Sequence, residues 1–390
     1  MSAATFETAG KAADFPPHGV HAPERRASWL ELFFDLCFVV AVGAVAHTLH
    51  DAPSREGLII FAALFVPVWW SWMEYAWYAT SFPEGDVARR LPAFAAMLTI
   101  LAMSAQIPRA AAGDPRGVVI AFAIFHLIVA ALFLATTSAY PQRRPFALRY
   151  ASGFALAATL WVLSLALPDQ LRPMVWLIAL LVDLYTPWYA VAAVPERVYD
   201  MDHIPERYGL FTIIVLGEAV IAVARGTAES NWGPPAVIAA VSGFAIAALV
   251  FTRYFAHPDT EMLARSRASA FIWGYGHIFV WAGIAMLGVG VEFAIEAATA
   301  GHGFPDGERM ILCSGFALFA AALGILHAAA VGTIANGISA VRFGVAALAL
   351  LLGLAGRSLA PDVLIAILAV VAVSGSLFLA RPGHREGAVG

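Results

Sequence analysis

WLELFFDLCFVVAVGAVAHTL (residues 29–49) is apolar for long enough to cross a bilayer, yet it carries Glu31 and Asp35 near its start. Crossing ~30 Å of hydrocarbon takes ~20 apolar residues as helix. With Trp29 at the boundary, a rise of ~1.5 Å per residue puts Glu31 ~3 Å deep and Asp35 ~9 Å deep. Their i, i+4 spacing sets both on one helix face. Glu31 can snorkel to the interface. Asp35 is too short to follow it, and a carboxylate at the centre of a spanning helix costs about 2.5–3.5 kcal/mol. At the depth of Asp35 the cost is somewhat less. A partner, water or protonation must offset it.

The rest of the chain has the same character. Its 390 residues are 61% hydrophobic and 13% charged, with a mean hydropathy of +0.77. A soluble domain is about half apolar and about a quarter charged. Lipid must cover the excess. Twelve runs are long enough to span, near 29–50, 57–80, 91–112, 117–139, 147–167, 173–194, 207–225, 235–255, 269–292, 309–331, 336–356 and 361–381. In hydrocarbon each must satisfy its own backbone, so the expected fold is an all-α polytopic transmembrane bundle.

Charge sets the orientation. Seven cationic residues (Arg55, Arg109, Arg116, Arg172, Arg225, Arg309 and Arg357) fall in one set of loops, and the other sixteen of 23 fall in the opposite loops and tails. The positive-inside rule then makes both termini cytoplasmic. Residues 1–28 form a polar arm without the apolar core of a cleaved signal, so the first span reads as an uncleaved anchor. Residues 29–200 and 201–381 divide the spans into two halves, and 382–390 form a tail. A shift of 178 residues lays Leu32-Phe33 on Leu210-Phe211 and suggests a six-plus-six parallel repeat, although Ala and Val are common enough to match by chance. Cys37 and Cys313 lie in spans and imply no disulfide framework. No basic block points to nucleic acid. The aromatic run WWSWMEYAWY (69–78) reads as an interfacial belt.

Several other ionisable residues sit inside spans, where each is a functional-site hypothesis by default. Glu74 is near the inner end of span two, Asp183 near the middle of span six, and Glu218 close to the midplane of span seven. His126, His277 and His327 are also intramembrane, and Arg253 is near the inner end of span eight. Glu292 and Glu296 end span nine and read as solvated.

RASWLELFFDLCFVVAVGAVAHTL and HIPERYGLFTIIVLGEAVIAVA together resemble the signatures of the bacterial low temperature requirement protein A family. The first resembles it through Trp29, Glu31, Leu32, Phe33, Phe34, Asp35 and Leu36. The second does so through His203, Glu206, Arg207, Gly209, Leu210, Phe211, Leu216, Gly217 and Glu218. YGHIFVWAGIAMLGVGVE (275–292) is also similar. Two departures stand out. Ala219 occupies a position where members often carry Ser, and the segment after span two lacks the usual Asn-Arg-Phe-Asp. The resemblance implies a multi-pass protein of the bacterial inner membrane, named for a cold-growth phenotype. It supplies no substrate or mechanism.

Transport is the first functional expectation. Asp35 and Glu218 bind a proton or small cation, Glu74 and Asp183 tune them, and Arg253 and His277 act as counter-ion or tuning groups while access alternates. A non-catalytic sensor or assembly factor for cold growth is the alternative. A membrane-embedded lipid-modifying enzyme is a third reading. It would need a nucleophile beside a base, or a metal cluster. His47 and His50 have i, i+3 spacing for a metal but sit at the outer end of span one without an obvious acidic cluster, and no HExxH, GxSxG or CxxC motif occurs. No catalytic residue, cofactor or metal is therefore assigned. The expected partners are the bilayer and an unspecified small ion or solute.

Overall fold

A computed structural model of the chain describes residues 27–82, 87–194, 199–200, 203–228, 230–256 and 258–379. The arm up to residue 26, the tail 382–390 and the cationic residues Lys11, Arg25, Arg26, Arg197, Arg381 and Arg385 lie outside the described residues. Every regular element described is helical. In chain order the helices are α1 (Trp29–Asp51), α2 (Arg55–Ser81), α3 (Val87–Ala111), α4 (Arg116–Thr136), α5 (Arg144–Ser164), α6 (Arg172–Val191), α7 (His203–Ala228), α8 (Pro234–Ala256), the short α9 (Glu261–Arg265), α10 (Arg267–Ala300), α11 (Asp306–Val331), α12 (Gly337–Ala355) and α13 (Pro361–Leu379). Twelve helical segments are long and apolar enough to span a membrane. The bounds of the long helices follow the hydropathy reading within a few residues, except that α10, the ninth span, continues to Ala300.

Local chemistry sets several of these bounds. Ser28 caps α1, accepting from the Glu31 N–H at 3.2 Å, while the Glu31 carboxylate accepts from the Ser28 N–H at 2.8 Å. This capping box satisfies two otherwise orphaned donors. Ser54, Ser266 and Asn336 accept from the Gly57, Ser269 and Ser339 N–H groups to cap α2, α10 and α12, and Ser266 forms a second capping box with Ser269. Gly301 and Gly332 end α10 and α11 at φ of 70° and 83°, the left-handed region that glycine enters without strain.

α10 forms the axis of the bundle, packing against α1, α2, α7, α8, α11 and α13. Glycines let α11 approach it closely. A Cβ at Gly290 would stand 2.3 Å from Leu312 Cα, and one at Gly283 would stand 2.6 Å from Phe319 N. Small residues at such contacts replace hydrophobic attraction, which lipid does not supply, with dense backbone packing. α2 is similarly enclosed. Trp69, Trp70, Trp72, Tyr75, Trp77 and Tyr78 are all buried, so the expected interfacial belt is instead core. The reason is that α2 is covered by α1, α4, α7 and α10. The two halves of the chain meet where α1 and α2 pack on α7 and α10.

Candidate functional site

The buried acids do not meet in one pocket. Glu31 with Asp35, Glu218, and Glu74 with Asp183 separate into three groups, each with partners of its own.

The first group joins the starts of α1 and α7. Arg207 Nη2 donates to Asp35 Oδ1 at 2.7 Å, and Nη1 lies 3.0 Å from Glu31 Oε1. Trp72 Nε1 on α2 donates to the same Asp35 oxygen at 2.8 Å. His203 sets Nε2 3.2 Å from Glu31 Oε1 and Nδ1 3.2 Å from Glu206 Oε2. A ring with a carboxylate at each nitrogen has the geometry of an imidazolium. The Ala27 N–H donates to Glu206 at 3.1 Å, closing the group at its surface. The one face shared by Glu31 and Asp35 is therefore matched by one guanidinium. Glu31 does not snorkel: it is 1% exposed, because the paired cation lies inward of it. Arg207 and His203, which the sequence offered as residues of the second signature, are the ionic partners.

The second group lies at the opposite end of the same helix pair. Glu218 forms the floor of a cleft walled by Ala46, His47 and His50 of α1, Ala222 and Arg225 of α7, and Gly288, Val289 and Glu292 of α10. Ten residues separate it from the end of α7, a depth of ~15 Å. Gly43 faces it, and a Cβ there would stand 2.9 Å from Glu218 Oε1. Arg225 Nη1 lies 3.9 Å from Glu218 and 3.8 Å from Glu292, so the one guanidinium faces both carboxylates. Glu292 is not simply solvated, because α10 continues two turns past it and holds it in this cleft. His50 Nε2 is 3.4 Å from Glu296, so the histidine pair does have acids beside it, supplied by α10.

Between these two groups the seam is filled by aromatic side chains. Phe38 of α1 and Phe211 of α7 have ring centroids 6.0 Å apart. Trp72 stacks on Phe211 at 4.4 Å, and Trp281 meets Phe211 at 4.7 Å. All four side chains are fully buried.

The third group is separate. Glu74 of α2, His126 of α4 and Asp183 of α6 are enclosed with no exposure of any side chain. His126 Nε2 lies 2.7 Å from Asp183 Oδ1 and 3.1 Å from Glu74 Oε1. Trp161 Nε1 donates to Asp183 Oδ2 at 3.1 Å. His126, which the sequence offered only as a lone intramembrane histidine, is the hub of this group.

Arg253 and His277 stand apart from all three groups. Arg253 lines a groove with Arg342 and Ser376, and makes no ion pair among the described residues. His277 Nδ1 lies 2.6 Å from the Trp273 carbonyl, with Tyr208, Tyr254 and Trp281 around its ring. His327, a further intramembrane histidine, pairs with Asp259 at 2.7 Å in a tie that Arg342 approaches to 3.7 Å.

Twelve helices among the described residues are long and apolar enough to span a membrane, and with their enclosed ion pairs they define a polytopic helical membrane protein. The family description "Bacterial low temperature requirement A protein (LtrA)" matches residues 26–374, and the chain belongs to that family. It is also similar to the uncharacterized protein RA0937 of Rhizobium meliloti (strain 1021), 28% identical over 295 residues, which is 70% of each chain.

Proposed function

We propose that the chain is a proton- or cation-linked transporter whose pathway follows the seam between α1 and α7, with Glu218 as the ion-binding group. One observation carries this reading. Asp35 and Glu218 lie on the same helix pair, one tied to Arg207 and the other on the floor of a cleft, with a fully buried aromatic plug between them. A carrier needs a polar group reachable from one face and a closed contact toward the other. Opening the closed end would part Arg207 from Glu31 and Asp35 and hydrate all three. The halves 29–200 and 201–381 would be the moving bodies, with both termini cytoplasmic in the inner membrane. Glu74 and Asp183 would not tune Glu218 directly, since they belong to the separate third group.

The test is flux in proteoliposomes. A proton or alkali-cation gradient should drive uptake well above that of empty vesicles, and Glu218→Gln should lower it about tenfold, or about 1.4 kcal/mol. Folded, correctly inserted protein that moves no proton or cation would overturn the proposal. It would favour a non-catalytic membrane component whose ion pairs hold the bundle together.

A further inference from the structure

We propose that Glu74, His126 and Asp183 form a binding site for one divalent first-row transition-metal ion, which clamps α2, α4 and α6 together. The proposal is independent of the transport reading, because none of the three residues lies on the α1–α7 seam.

Donor chemistry is the first support. One imidazole nitrogen and two carboxylates, each from a different helix, bring their donor atoms within 4.8 Å of one another. Nitrogen and oxygen donors of this kind suit Zn²⁺, Mn²⁺ or Fe²⁺. Bonds of ~2.0–2.2 Å give donor–donor edges of roughly 3–3.5 Å, and the two edges from His126 Nε2 stand at 2.7 and 3.1 Å.

The orientation of the ligands is the second support. His126 Nδ1 lies 2.9 Å from the Phe122 carbonyl, a contact that requires a proton on Nδ1. Nε2 is then the nitrogen turned toward the two acids. Metal-bound histidines characteristically donate their other N–H to a carbonyl or carboxylate. The Trp161 indole fixes Asp183 similarly through its second oxygen.

The third support is the state of Glu74. Both of its oxygens are fully buried and neither has a hydrogen-bond partner, while Oε1 points at His126 Nε2 from 3.1 Å. Phe122, Phe154 and Trp161 surround the group with aromatic surface. Leaving a carboxylate so enclosed without a hydrogen bond is expensive. Charge balance then decides what completes the group. Two carboxylates with an imidazolium sum to −1, whereas two carboxylates, a neutral imidazole and a divalent ion sum to zero. The routes to neutrality that need no metal are an imidazolium beside one protonated acid, or a neutral imidazole beside two.

Metal analysis separates these alternatives. Full-length protein purified in detergent, stripped with chelator and reloaded with Zn²⁺, should retain about one ion per chain after gel filtration. His126→Gln and Glu74→Gln should lose that ion. Glu292→Gln should keep it, which excludes the outer His50–Glu292–Glu296 group as its source. Trp161→Phe should weaken retention about 10-fold or more through loss of ligand orientation. If the triad variants fail to fold, Co²⁺ loaded into the native chain should give ligand-field bands of an N/O site without thiolate charge transfer. Stripped protein that takes up neither ion and melts at the same temperature with and without metal would overturn the proposal in favour of shared protons.

Discussion

Arg207 of α7 and Asp35 of α1 form a 2.7 Å ion pair with neither side chain open to solvent. The pair links residues 172 positions apart. It joins the two halves of the chain at the end where α1 and α7 begin. Removing one member of such a pair leaves a buried charge uncompensated, which costs about 3–5 kcal/mol. Arg207→Gln should therefore lower the melting temperature in detergent sharply. Adding Asp35→Asn should recover part of the loss, because it removes the orphaned charge. A double-mutant cycle on detergent-purified protein reads the coupling, and strictly additive losses would show that the two groups act independently.

Gly290→Ala should destabilise the α10–α11 contact. The added Cβ would meet the Leu312 backbone at 2.3 Å, where no side-chain rotation can relieve it. Overpacking of this kind costs about 1–3 kcal/mol. Gly344→Ala, with nothing within 4 Å of its Cβ, serves as the control and should melt like the native chain.

How much of this the sequence held differs between levels. The spans were legible because backbone satisfaction in lipid forces long apolar runs into helices. The capping box was present as Ser28 and Glu31, and their structural meaning needs no distant residue. The pairing of acids with cations was only half legible. Glu31 and Asp35, one turn apart, declared a polar face on α1, but nothing local identified Arg207 as its partner. The third group was harder still. Glu74, His126 and Asp183 each sit deep in separate spans, and only the packing of α2, α4 and α6 brings them together. Comparing depths along the spans could have paired them. The tryptophans of α2 misled because interfacial and core aromatics have the same composition; how many helices surround α2 distinguishes them, and that is a tertiary fact.

A side chain at position 43 should interfere with Glu218. In Gly43→Val the first added carbon would stand 2.9 Å from Glu218 Oε1, and the branch would fill the floor of the cleft. Glu218 is the end of a flexible side chain, so the fold should survive with a near-native melt. Flux should fall about tenfold. Gly217→Ala, whose Cβ meets nothing within 4 Å, should transport normally. Equal flux in both variants would remove the floor of the cleft from the pathway.

Trp72→Phe should loosen Asp35 without introducing a charge. It removes the 2.8 Å indole donor while keeping most of the ring surface. A hydrogen bond to a charged group contributes about 1.5–3 kcal/mol, and the loss should appear as a lower melting temperature. Asp35→Asn should reduce the effect of the second substitution, and a full effect in that background would place the indole's role elsewhere.

The reach of Glu218 from one face can be read by a hydrophobic carbodiimide, which modifies carboxyls that can take up a proton. Native protein in vesicles is treated and the modified residue is found by mass spectrometry, with and without excess cation. The expected result is labelling at Glu218, slowed by the cation that the protein moves, with Asp35 spared by its pairing to Arg207. Labelling of Asp35 with Glu218 untouched would contradict the seam as drawn: the closed end and the open end would be reversed.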